Sequence, residues 1–290
     1  MNSSSEPQLR IDPLTGTWVV VTPWRQDRPN KPSGQCPFCP GGLEAPGSYG
    51  VRSIPNRWPA LPGRRHEVIL HSPLHSGTFP QLGAAGAARV IELWSERTAR
   101  LSARDDVRYV FVFENRGPAI GATIDHPHSQ ILAFGDVPPV ALAELRRSAC
   151  SLCQPPADEL TVARLPAWLA SVPWAPSWPY EIVLAPRQHV ADLPDAGPEL
   201  RAELGVILIE CLVRLESVLG QAEPYLLWFH QRPADGGDWP AAHLHLHVAP
   251  VQRAPATIRH LAAAEFGAGV FFDPVDPLAA AAALRSAVVQ

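Results

Sequence analysis

The chain carries one passage twice. Tyr180-Glu-Ile-Val-Leu-Ala-Pro-Arg-Gln-His189 lays over His66-Glu-Val-Ile-Leu-His-Ser-Pro-Leu-His75 without a gap, setting Glu181 on Glu67 and His189 on His75. An amphipathic helix follows each copy. The first, within 83–104, has Val90, Leu93, Trp94, Thr98 and Leu101 at helical spacing; the second has Leu200, Leu204, Ile207, Leu208, Cys211 and Leu215. Leu226–Pro233 then overlays Phe111–Pro118, placing His230 on Asn115, and His245-Leu-His247 falls on His126-Pro-His128. A period of about 114 residues is too long for a solenoid unit and means two related subdomains. Each half reads strand, helix, strand, turn, strand, which gives an α+β architecture. Either half alone has few strands, so the two are expected to join in one continuous, mainly antiparallel sheet with flanking helices. The proline-led stretch from 136 sets the expected division: residues 1–140 and residues 141–290.

A chain of 290 residues, 46% hydrophobic and 18% charged, has the composition of a folded protein with a substantial core. Its formal charge of −4 argues against a general nucleic-acid binder, whose footprint is basic. The N-terminus lacks an apolar signal core, and the longest apolar run, Val206–Ile209, is far too short to span a bilayer. Four of the five cysteines stand in two Cys-x-x-Cys pairs, which suits metal ligation in a reducing compartment, so the cytoplasm is expected.

The chemistry gathers at Asp125-His126-Pro127-His128-Ser129-Gln130. In extended chain His126 and His128 share one face, and Pro127 stiffens the link between them. Cys36-Pro-Phe-Cys39 is a knuckle whose two thiolates can reach one tetrahedral ion. With His75 and His126 it makes a Cys2His2 set suited to structural zinc. The second half gathers Glu181, His230, His245 and His247, a carboxylate with three imidazoles, which suits zinc or iron. His243 lies in phase with the last two and competes as a ligand. Cys150 and Cys153 are either a remnant of the duplication or a third metal point.

Giving His126 to a metal leaves His128 free. A neutral imidazole oriented by a backbone carbonyl is a competent nucleophile towards phosphorus. Gln130, further along the same face, can donate an amide hydrogen bond where charge develops. Gly117 and Gly121 allow a phosphate to approach backbone N–H groups. Arg25 and Arg28 either clamp phosphates or are solvated surface residues; spacing alone does not choose.

Asp12-Pro-Leu-Thr-Gly16, Cys36-Pro-Phe-Cys39, Ser72-Pro-Leu-His75, Phe113-Glu-Asn115, His126-Pro-His-Ser-Gln130, Trp178-Pro-Tyr-Glu181 and His245-Leu-His247 together resemble the galactose-1-phosphate uridylyltransferase family, of the histidine triad superfamily. The resemblance covers nearly the whole chain and implies two histidine-triad-like halves. It implies a ping-pong exchange: His128 attacks the α-phosphorus of UDP-glucose, glucose 1-phosphate leaves, and galactose 1-phosphate takes the uridylyl group. It implies zinc on Cys36, Cys39, His75 and His126, and a second ion, iron or zinc, on Glu181, His230, His245 and His247. Asn115, Gly121, Thr123 and Gln130 would contact the nucleotide phosphates with Arg25 and Arg28 nearby, Asn56 would lie beside the base, and a homodimer is expected. Arg259 and Glu265 fall in the stretch similar to the family's sugar-contacting segment. The departures are Ser129 for a common glycine, Arg57 for a frequent acidic residue, Arg259 for a lysine, and Ala264 for an aromatic or small polar residue. They bear on the hexose and the base, not on the phosphoryl chemistry.

Three other readings compete. A phosphorylase or hydrolase of the same superfamily, acting on ADP-sugars or dinucleoside polyphosphates, would share His128 and differ in the acceptor. A sugar-nucleotide binder without turnover would need no nucleophile. A hydrolase working through the Glu181 cluster would lack an obvious general base once all four groups ligate an ion.

Overall fold

A computed structural model describes residues 6–28, 34–221 and 224–288. A small hairpin, β1 (Gln8–Ile11) and β2 (Trp18–Val21), precedes the first half, which holds β3 (Arg52–Pro55), β4 (His66–Leu70), α1 (Gly83–Ser102), β5 (Tyr109–Arg116) and β6 (His128–Phe134). A short connecting helix, α2 (Pro139–Leu145), leads to β7 (Thr161–Arg164), β8 (Trp168–Ser171), β9 (Ile182–Pro186), α3 (Pro198–Leu219), β10 (Tyr225–His230) and β11 (His245–Pro250). The chain ends with β12 (Gln252–Ala254), β13 (Thr257–Ile258), α4 (Ala263–Ala268) and α5 (Pro277–Ser286). No described helix is long and apolar enough to cross a membrane.

The halves form one nine-stranded antiparallel sheet in the order β3-β4-β6-β5-β10-β11-β9-β8-β7. The expected α+β architecture and continuous sheet are both present. The seam is the β5–β10 pair, in which Phe113 faces Trp228. Alternation sorts the side chains. Along β6, Ser129, Ile131 and Ala133 point to the buried face while His128, Gln130 and Leu132 point to the other. Along β11, Leu246 and Val248 are buried while His245 and His247 lie on the more open face.

Helices α1 and α3 cover the buried face. Val90, Ile91 and Trp94 from one, with Leu204, Ile207, Leu208 and Leu212 from the other, share one core with Ile69, Val112, Ile131, Leu184, Phe229 and Val248 of the strands. The helices cross closely. A Cβ built on Gly205 would lie 3.2 Å from Ala87 Cβ, so that crossing has no room for a side chain. On the opposite face the knuckle segment folds over β3 and β4, packing Phe38 and Ala45 on Ile54, Val68 and Leu70. This cover explains why every residue of β4 is buried.

The register corrects two details of the repeat. His126 and His243 occupy matching places, so the counterpart of His126-Pro-His128 is His243-Leu-His245, two residues earlier than the overlay of His245-Leu-His247 proposes. Ile69 pairs with Ser129, and Leu184 pairs with Leu246. Glu181 therefore stands where His66 stands, not where Glu67 does. The one-residue slip matters because it exchanges faces: Glu67 points to α1 and pairs with Arg97 at 2.6 Å, whereas Glu181 reaches His247.

Candidate active site and metal centres

His128 opens β6, and its orientation is set locally. Its Nδ1–H donates to the His126 carbonyl at 2.7 Å, which leaves the Nε2 lone pair for chemistry. Burial pushes its pKa down to about 4, so the ring is neutral at physiological pH. Phe38 of the knuckle stands edge-on to it, ring centroids 5.2 Å apart.

Gln130 is oriented by a neighbour that the sequence reading did not single out. Ala60 N–H donates to His66 Nδ1 at 2.9 Å, so Nε2 carries the proton and donates to Gln130 Oε1 at 3.0 Å. Burial pushes His66 down to about 4, only partly offset by that bond to Gln130. The Asn56 amide also donates to Gln130 Oε1, at 3.4 Å. With its carbonyl occupied, Gln130 offers its NH2 to a ligand.

Three cavities meet at His128. One, about 320 Å3, is lined by Arg25, Arg28, Asn115, Gly121, Thr123 and Gln130. Arg28 donates to Thr123 Oγ1 at 2.9 Å and Arg25 to the Trp58 carbonyl at 3.1 Å, so both arginines are built into the wall. Gly121 has φ +79°, a backbone conformation that favours glycine. A second cavity, about 500 Å3, runs between Phe38, Glu44, Asn56, Arg57 and Trp58. The third, about 490 Å3, lies between His75, Asn115, Gly117 and Asp125. A basic, glycine-floored pocket opening on an unprotonated imidazole nitrogen suits a polyphosphate.

Arg259 and Glu265 line none of these three. They face each other at 3.4 Å, with the guanidinium 5.0 Å from the Trp178 ring centroid and donating to the Phe272 carbonyl. Within one chain the expected sugar-contacting pair is thus separate from the His128 pocket.

Cys36, Cys39, His75 and His126 converge, their ligand atoms all within 4.8 Å of one another. His126 Nε2–H donates to the Ser72 carbonyl at 2.7 Å, which aims Nδ1 at the two sulfurs, 3.8 and 3.7 Å away. Ordinary zinc bond lengths give an S···N tetrahedral edge of about 3.6 Å, so the donor set fits the ion.

A second set repeats this arrangement. Cys150 and Cys153 meet His189 and His243. His243 Nε2–H donates to the Pro186 carbonyl at 2.9 Å, turning Nδ1 to Cys150 Sγ at 3.2 Å. His189 Nδ1 lies 3.1 Å from Cys153 Sγ. The sequence reading left Cys150 and Cys153 without partners, although His189 already overlaid the zinc-set residue His75.

A third cluster holds Glu144, His230, His245 and His247. Its carboxylate comes from α2: Glu144 Oε2 lies 2.9 Å from His230 Nδ1 and 3.6 Å from His245 Nε2. Burial raises the Glu144 pKa, but the hydrogen bond from His230 and the field of the histidines outweigh it, and the net shift is downward. Glu181, expected in this set, supports it from outside. Its Oε1 accepts from His247 Nδ1 at 2.8 Å, while Oε2 accepts from the Ser177 and Trp178 backbone N–H groups. That bond aims His247 Nε2 inward, where it is buried with no hydrogen-bond partner among the described residues. A lone pair in that state beside two imidazoles and a carboxylate fits a divalent cation.

Two family models match, galactose-1-phosphate uridyl transferase N-terminal domain over residues 62–138 and C-terminal domain over residues 155–266. The chain belongs to the galactose-1-phosphate uridylyltransferase family. The galactose-1-phosphate uridylyltransferase of Thermotoga maritima is 31% identical, over 98% of this chain and 99% of its own length. A solved uridylyltransferase superposes with a TM-score of 0.88 at 29% identity, covering 96% of this chain and 97% of that one. The Arabidopsis thaliana ADP-glucose phosphorylase with bound ADP-glucose superposes at 0.79 with 25% identity, covering 98% of this chain and all of that one.

Proposed function

We propose that this chain exchanges UMP between UDP-glucose and galactose 1-phosphate through a uridylyl-His128 intermediate. The observation that carries this reading is the His128 ring: Nδ1–H tied to the His126 carbonyl, Nε2 free of hydrogen bonds among the described residues, and Gln130 lining the same cavity. Nε2 forms a bond to the α-phosphorus as the bond to glucose 1-phosphate breaks, and the departing phosphate takes the electron pair. Galactose 1-phosphate then attacks the same phosphorus and releases His128. Both leaving groups are stable without a proton, so the work is positioning and charge stabilisation. Arg25, Arg28, Asn115, Gly121, Thr123 and Gln130 hold the phosphates, while Asn56 lies in the cavity suited to the base. Metal ions on the Cys36 and Cys150 sets and on the three-histidine cluster, zinc at the thiolates and zinc or iron at the third, would lock the loops that carry them.

Residues 1–140 then form the catalytic half and residues 141–290 a metal-bearing half. The family supports a homodimer, which would cover the exposed Phe266, Phe271 and Phe272 and let Arg259 and Glu265 serve a partner's pocket. Free cysteines held as ligands support a cytoplasmic location, and the acidic balance supports small-molecule partners rather than nucleic acid.

Intact-mass spectrometry after mixing with UDP-glucose tests this directly. A uridylyl adduct on His128, discharged by galactose 1-phosphate, is expected. An adduct from ADP-glucose and none from UDP-glucose would move the chain to the phosphorylase branch.

A further inference from the structure

A buried polar relay lies behind the nucleophile. Ser129 sits between His128 and Gln130 but points the other way, into the helix-covered core, with no solvent exposure. The Trp94 indole donates to Ser129 Oγ at 2.7 Å, and His71 Nε2 is 2.9 Å from the same oxygen. An indole N–H can only donate, so Trp94 fills one lone pair of Ser129 Oγ, and the remaining lone pair or the hydroxyl hydrogen meets His71 Nε2. His71 also holds the residue on the other side of the nucleophile: its backbone N–H donates to the Pro127 carbonyl at 3.0 Å. One residue thus grips the chain immediately before and immediately after His128. Ser72, next in sequence, accepts from His126.

The relay has a cost that packing alone does not require. His71 is 2% exposed, and its Nδ1 has no hydrogen-bond partner among the described residues. A buried polar atom in that state loses its hydration without a replacement bond and so destabilises the fold. The other half shows that the frame does without it. There Leu246 takes the place of Ser129, fully buried, and the end of β9 reads Leu184-Ala185-Pro186. Only the half that carries the nucleophile keeps the polar arrangement.

We infer that His71 and Ser129 are positioning residues for uridylyl transfer, holding the His128 backbone from both sides so that its Nε2 meets phosphorus in line. The inference rests on His128 being the nucleophile, so the wild-type adduct is mapped first; an adduct elsewhere, or none, fails that reading and not this one. The decisive measurement is then the single-turnover rate of adduct formation from UDP-glucose, with steady-state kcat and KM, zinc content and thermal melting recorded in parallel. Ser129→Ala is expected to slow adduct formation by about 10²-fold, the scale set by small misplacement of reacting groups, and to leave KM for UDP-glucose within about twofold. His71→Gln, whose side-chain amide can still hydrogen-bond Ser129 in either direction, should recover to within roughly threefold of wild type. Combining His71→Leu with Ser129→Ala should cost no more than the worse single change, because both cut one relay. Adduct formation by Ser129→Ala at the wild-type rate would overturn the inference. So would a loss that only tracks the folded or zinc-loaded fraction, since that is what a purely structural role predicts.

Discussion

The two halves place four side chains at matching points of the same sheet and make opposite sites from them. In the first half these are His66, Asn115, His128 and Gln130; in the second they are Glu181, His230, His245 and His247. The backbone device is common to both: His128 and His245 each donate Nδ1–H to the carbonyl of the histidine two residues earlier, at 2.7 Å. What differs is the charge that meets the free Nε2. Arg25 and Arg28 line the first pocket, whereas Glu144 reaches into the second. An imidazole lone pair facing cations and N–H donors is available to an electrophilic phosphorus. The same lone pair facing a carboxylate and two more imidazoles is available to a metal. Neighbours, not the histidine itself, set which of the two chemistries its lone pair can serve.

The largest expected effect separates the two histidines. His128→Ala should lower uridylyl transfer by about 10⁴-fold or more. Adduct mapping in the wild-type enzyme should find uridylyl groups on His128 and none on His245; a modified His245 would break the contrast. Next come the thiolate sets. Cys36→Ser and Cys150→Ser should each remove one equivalent of zinc by elemental analysis and destabilise by on the order of 3 kcal/mol in denaturant titration. Only the Cys36 change should also slow transfer, because its set includes His126, whose carbonyl orients His128. Full zinc retention in either variant would remove that ion from the account.

The smallest effect is a pH dependence at His66. Its folded-state pKa of about 4 lies below the ordinary 6.5, so the unfolded chain binds the extra proton first as pH falls. The stability difference is absent above about pH 6.5, grows as pH drops, and is complete below about 4, reaching roughly 3 kcal/mol. Denaturant titrations from pH 7 to 5 should therefore slope less steeply for His66→Phe than for wild type. Equal slopes would mean that His66 is not held neutral.

Much of this was legible in the sequence. Amphipathic periodicity located α1 and α3, the repeat set β4 against β9 and β5 against β10, and the Cys36 set needed only ligand chemistry and spacing. Errors arose where the repeat is not gapless. Two extra residues between β10 and β11 moved the histidine overlay by two positions, so His243 went unassigned and Cys150 and Cys153 lacked partners. One further residue of slip along β9 set Glu181 on Glu67 rather than on His66, although its grouping with His247 stands. Tyr180, just before that strand, has φ +57°, a backbone irregularity that residue type alone does not announce. Glu144 could not be found by overlay at all, since α2 belongs to the connection and not to the repeat. His66 and His71 enter the sequence only as members of the first repeat copy, and their contacts depend on partners 64 and 58 residues away.

The close crossing of α1 and α3 bears on how such a molecule can change over time. After a duplication both copies inherit the same freedom to drift, but here the freedom is unequal between the two sides of the sheet. On the covered side, each copy is the other's packing partner, and the contact of Gly205 with Ala87 leaves hardly a methyl group of tolerance. Replacements there must be matched across the seam. On the open side, a residue answers only to its own pocket. One copy could exchange a glutamine for a histidine at the Gln130 position, or a histidine for a glutamate at the His66 position, without disturbing its twin. Helix packing thus acts as a ratchet on one surface and a licence on the other, which lets a chain keep one ancestral architecture while its two ends take up different chemistry.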